Sequence, residues 1–124
     1  MHFDQRTQQA LRDAGLSTEE IEDASAAVVD ATATAAADLE AFFDGLETVY
    51  SDMDLAHSSD DTVEHTVEYV DCWTHAADLR GYLKFEGWGV SVEGGRVLSE
   101  DVVELRLGDT VNDRVRFAAS RDAL

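Results

Sequence analysis

The apolar positions of this 124-residue chain change period once, near Gly45. Before that point they recur every three or four residues, as on one face of a helix; after it they alternate, as along a strand. Residues 3 to 14 predict a short first helix, with Phe3, Thr7, Ala10, Leu11 and Ala14 on one side and Gly15 as its C-terminal cap. A second helix is predicted from 18 to about 44. Ser17 and Glu20 have the spacing of a reciprocal capping pair, Leu16 is placed to pack back on Ile21, and acids at 19, 20, 22 and 23 suit the positive end of the helix dipole. Ile21, Ser25, Val28, Thr32, Ala35, Leu39, Phe42 and Leu46 make a stripe at heptad spacing, and Gly45 is the expected stop. Such a helix, roughly 40 Å long, either lies across a sheet or pairs with a second copy, since small residues at heptad positions suit both.

Beyond Gly45, residues 62 to 74 predict a strand with Val63, His65, Val67 and Tyr69 on one side. Residues 81 to 93 predict another, with Tyr82, Lys84, Glu86, Trp88, Val90 and Val92 on one parity and Leu83 and Phe85 on the other. Gly94 and Gly95 are expected to supply the positive-φ positions of a tight hairpin. The return strand then runs from Arg96 to Leu98 and from Val102 to Leu107, interrupted by a bulge at Ser99, Glu100 and Asp101. A last strand is predicted at 114 to 118, and 46 to 55 offers one more, with Val49, Ser51, Met53 and Leu55 on one side and Ser58 to Asp61 as its turn. A competing pattern would make 60 to 86 a helix, through Val63, Val67, Val70, Thr74 and Ala77. Either way the chain is α+β. One short and one long N-terminal helix (about 3–45) pack on a C-terminal antiparallel meander of about four strands (about 46–124), within a single domain covering 1–124.

Charge adds habitat to this picture. Nineteen of the 27 carboxylates precede residue 80, against Arg6 and Arg12, so the first 79 residues hold about −17 of the net −18. Self-repulsion of that size strains a compact fold, and screening at 1 M salt, where the Debye length is about 3 Å, removes most of it. Asp exceeds Glu by 16 to 11, one lysine stands against eight arginines, and proline is absent. The composition is therefore expected of a salt-adapted (halophilic) cytoplasm. Cys72 is the lone cysteine, so no internal disulfide forms. Residues 1 to 12 lack the apolar centre of a signal peptide, and no apolar run approaches a membrane span.

Candidate chemistry is sparse. His65, Glu68, Cys72 and His75 combine metal-ligating types, but no Cys-x-x-Cys or His-x-x-x-His pair accompanies them. The competing expectation for His65, Cys72 and His75 is a buried thiol with exposed histidines. Cys72 beside an imidazole also has the makings of a nucleophile and base, yet no glycine-rich turn offers an oxyanion site. Five of the ten aromatics, Tyr69, Trp73, Tyr82, Phe85 and Trp88, gather in twenty residues. Tyr82 and Trp88, with Arg96, Arg106, Arg114 and Arg116, define a candidate ligand or partner surface in the nearly neutral half of the chain. The expected function is a non-enzymatic interaction or regulatory protein acting as a homodimer through the long helix or the charge-poor sheet, without cofactors. The alternative is a small-ligand or nucleic-acid-binding module on that sheet, and a third is a metal- or cysteine-dependent enzyme. Molar salt weakens phosphate-driven nucleic-acid binding, which counts against that partner.

Overall fold

A computed structural model of the chain describes residues 3–53, 62–108 and 114–124. Two helices, α1 (Gln5–Asp13) and α2 (Thr18–Phe43), precede six strands: β1 (Thr48–Ser51), β2 (Val63–His75), β3 (Asp78–Phe85), β4 (Trp88–Ser99), β5 (Val102–Leu107) and β6 (Arg114–Ala118). The α+β class holds, with six strands rather than four. Each strand pairs antiparallel with the next, and β1 also pairs with β6 through Tyr50↔Ala118 and Ser51↔Phe117, so the sheet closes into a barrel.

The helix ends follow from local chemistry. The Ser17 hydroxyl accepts from Glu20 N at 3.2 Å while Glu20 Oε1 accepts from Ser17 N at 3.0 Å, so two otherwise unpaired N–H groups are satisfied together. Gly15 (φ 101°) and Gly45 (φ 80°) take the left-handed conformation that ends α1 and α2. The heptad stripe is corrected in one respect. Val28 is 38% exposed, and the buried line runs through Ile21, Ser25, Ala36, Leu39 and Phe43, with Val29 and Thr32 half-buried between them. A straight α-helix turns every 3.6 residues, so a face that meets a rigid barrel drifts off a 3.5-residue repeat within a few turns.

The competing helix is overturned, since 63 to 85 form the β2–β3 hairpin around Ala76 and Ala77. The single strand over 81 to 93 is broken at Glu86 and Gly87, where Gly87 (φ 89°) provides the turn between β3 and β4. Inward residues therefore switch from Leu83 and Phe85 to Val90 and Val92. The expected hairpin at Gly94 and Gly95 is also overturned. Both glycines lie inside β4 without positive φ, and the turn falls instead at Glu100 and Asp101, where Ser99 Oγ accepts from Asp101 N at 3.3 Å. Gly95 serves packing: a Cβ there would lie 2.6 Å from Leu105 Cδ2 and 3.0 Å from Leu39 Cδ1 of α2. Its bareness lets the helix sit on the sheet.

The strand from 46 to 55 is found as Thr48–Ser51, with Val49, Ser51 and Met53 buried. Leu55 and the expected turn at Ser58 to Asp61 lie outside the described residues. Six strands leave an interior that side chains fill, with Val49, Leu83, Phe85, Leu105, Val115 and Phe117 essentially inaccessible. Leu39 and Phe43 of α2 join that core, and the Phe43 and Phe117 rings meet edge-on at 5.9 Å. Glu40 Oε1, on the same stretch of helix, accepts from Cys72 N at 2.8 Å and ties α2 to β2. Among the described residues no helix is long and apolar enough to cross a membrane.

Candidate functional site

With the barrel interior full, a partner or ligand meets the outer surface. Its most distinctive part is built by an irregularity in β2. Val63, His65 and Val67 point inward, but the register shifts between Val67 and Tyr69, so Val70 and Cys72 take over the inner face and Tyr69, Asp71 and Trp73 turn outward. Trp73 is 55% exposed and Tyr69 48%. Across the ladder Tyr69 opposes Lys84, Asp71 opposes Tyr82 and Trp73 opposes Arg80. The Tyr69 and Tyr82 rings lie 6.5 Å apart, and Tyr82 covers Gly89 on β4 so closely that any side chain there would collide with its ring. Lys84 Nζ pairs with Glu68 at 3.2 Å. Aromatic rings and charges of both signs thus alternate on the outer face of β2 and β3.

The expected surface residues divide into groups. Arg96 of β4, Arg106 of β5 and Arg114 and Arg116 of β6 come together on one outer face. Glu104, with only 15% of its side chain exposed, receives Arg96 Nε at 3.2 Å and Arg116 Nε at 3.9 Å. Tyr82 stands on the neighbouring aromatic face. Trp88 belongs with neither. It sits at the opposite end of β4, with its ring 4.7 Å from Phe85 and 6.0 Å from His65, as a lid on the core that is 40% exposed. Tyr69 and Trp73 were missing from the expected site, and the signal that could have placed them is the parity change in the apolar residues at Glu68.

The metal set is dispersed. His65 and Cys72 are seven residues apart on one strand, about 23 Å at 3.3 Å per residue, and among the described residues no group of three His, Cys, Asp or Glu side chains is placed to hold a metal ion. His75 is exposed as expected, whereas Cys72, expected buried, is half-buried, and His65 is buried, because β2 points it inward beside Val63 and Val67. The His65 ring stacks on Phe85 at 4.6 Å, and its Nε2 lies 2.7 Å from Ser51 Oγ. Burial holds its pKa below the usual value of 6.5. This serine–histidine contact has the atoms of a nucleophile and base, but Ser51 is fully buried among the core side chains. Burial, followed by the charges of Glu40 and Asp71, pushes the Cys72 thiol up to about 11, so the thiolate needed for nucleophilic chemistry is scarce.

Shallow grooves flank these faces. One of about 480 Å³ lies between the end of α2 and β2, bordered by Glu40, Asp44, Glu68 and Tyr69. Another, of about 290 Å³, is bordered by Gly95, Arg96, Glu104, Arg106 and Arg114. Compared with known proteins, the chain is matched over residues 1–122 by the model of a family of unknown function. No curated protein and no solved structure matches it.

Proposed function

We propose, from the premise that the chain belongs to that family, DUF7532, that it is a non-enzymatic interaction protein of a salt-adapted cytoplasm. Its working unit is a homodimer closed through the outer face of β2 and β3. The carrying observation is the exposed pair Trp73 and Tyr69 beside Tyr82. Large aromatics contribute 150–250 Å² each when covered, roughly, and are enriched in interface cores.

Charge supports a second copy as the occupant. A two-fold interface must be complementary to itself. Here β2 carries Glu68 and Asp71 while the adjacent β3 carries Arg80 and Lys84, so a two-fold rotation can set the acids of one copy against the bases of the other. The first 79 residues, which hold about −17 of the net −18, repel their own kind away from this face. Molar salt shortens electrostatic reach to contact distance and leaves ring burial intact, which favours an interface built this way.

Sedimentation in molar potassium chloride tests the proposal. The wild type sediments as a dimer, whereas Trp73→Ala and Tyr69→Ala sediment as monomers with unchanged circular dichroism. A strictly monomeric wild type at high protein concentration overturns it.

A further inference from the structure

The arginine groove on β4, β5 and β6 lies apart from the Trp73 and Tyr69 rings and has its own chemistry. Arg106 and Arg114 are direct cross-strand neighbours, an arrangement of like charges that costs stability when nothing lies between them. Arg106 is held in place. A bulge between Val92 and Gly94 makes the Glu93 carbonyl available, and Arg106 Nη2 donates to it at 3.4 Å, as Arg80 Nη1 does at 2.8 Å. The Arg106 Nε would lie 3.5 Å from a Cβ at Gly94, so the guanidinium rests along a stretch of β4 that has no side chain to lift it.

Arg96 is fixed in turn by Glu104 at 3.2 Å, and that same carboxylate faces Arg116. Among the described residues Glu104 is the one carboxylate bordering the groove, against Arg96, Arg106 and Arg114. Among the described residues, three guanidinium groups and one carboxylate leave a local excess of two positive charges, in a protein whose net charge is −18.

We propose that this groove binds the doubly charged phosphate group of a small molecule. A phosphate monoester carries about −1.5 to −2 charge at neutral pH and three acceptor oxygens. Guanidinium forks match such oxygens two at a time, and two adjacent forks balance a dianion where a single carboxylate would leave one uncompensated. The volume of about 290 Å³ admits one or two phosphate groups and a small substituent. A long nucleic-acid strand is disfavoured, because the counterion release that drives its binding fades in molar salt.

Titration calorimetry in molar potassium chloride, with inorganic phosphate, diphosphate, acetate and a phosphoserine peptide as probes, tests the site. Phosphate and diphosphate are expected to bind saturably and acetate not at all. The double variant Arg106→Gln with Arg114→Gln is expected to bind at least about tenfold more weakly, as removal of charge-assisted hydrogen bonds implies. Arg114→Lys, which keeps the charge and loses the fork, falls between and guards against a double variant that misfolds. Trp73→Ala retains wild-type affinity, which separates this site from the dimer face. Absence of saturable phosphate binding, or unchanged affinity in Arg114→Lys and the double variant, overturns the proposal. Tighter binding of the phosphoserine peptide than of either small probe overturns its small-molecule assignment.

Discussion

Ser51 Oγ and His65 Nε2 meet at 2.7 Å inside the barrel, where β1 is hydrogen-bonded to β2. Met53 N also donates to the Ser51 oxygen, at 3.3 Å. Burial favours the neutral imidazole, whose tautomer sets whether Nε2 accepts from the hydroxyl or donates to it. Among the described residues the rings packed around it, those of Phe85, Trp88 and Phe117, carry no charge.

A pH dependence follows from this contact. The folded pKa of His65 lies below the unfolded value of 6.5, so between the two values the unfolded chain binds more protons and stability rises with pH. The contribution is complete above 6.5 and is lost as pH falls from there toward the folded value. Denaturant unfolding of wild type and His65→Gln across this range should show a steeper acid decline in the wild type; parallel curves would refute it. Ser51→Ala, which strands Nε2 in the core, should cost about 1–3 kcal/mol.

The adjacent glycines of β4 should behave differently. A Cβ at Gly94 meets Arg106 Nε at an ordinary 3.5 Å, whereas one at Gly95 lies 2.6 Å from Leu105 and 3.0 Å from Leu39. Gly94→Ala is therefore expected to change stability little, and Gly95→Ala to cost about 1–3 kcal/mol through overpacking. Thermal unfolding of the two variants decides it. A tight hairpin here would instead have made both costly, because both glycines would need positive φ.

These glycines also mark the limit of what local pattern conveys. The helix ends were legible, because Ser17, Glu20, Gly15 and Gly45 act within a few residues of themselves. The shared side of Val63, His65 and Val67 was legible too, although the histidine was expected exposed and is buried. A Gly–Gly pair looks the same whether it turns the chain or makes room for Leu39, and only the docked helix distinguishes the two. The outward turn of Tyr69 and Trp73 depends on one extra residue at Glu68, which reverses every position after it. The four arginines were legible as a basic set, but their grouping around Glu104 depends on strand register that composition does not contain.

The Cys72 thiol should resist modification. A pKa of about 11 against an ordinary 9.0 leaves about a hundredfold less thiolate at neutral pH. Maleimide labelling of the folded protein should be slower than that of the urea-unfolded chain by a comparable factor. Glu40→Gln should speed it by removing the larger of the two charge contributions together with part of the link between α2 and β2.

Salt should stabilise the fold as a whole. With about −17 of the net −18 in the first 79 residues and three ion pairs among the described residues, screening removes more repulsion than attraction. The thermal midpoint should climb as potassium chloride is raised from millimolar to molar. A flat or falling midpoint would show that self-repulsion does not limit this fold.

The barrel closes where the chain is furthest from itself. Every other strand pair joins strands consecutive in sequence, but Tyr50↔Ala118 and Ser51↔Phe117 span almost the whole sheet. Bringing such distant residues together costs more chain entropy than any of the hairpins does. Time therefore enters a structure otherwise described in space: pairing between consecutive strands is expected to precede the β1–β6 seam, which closes the longest stretch of chain.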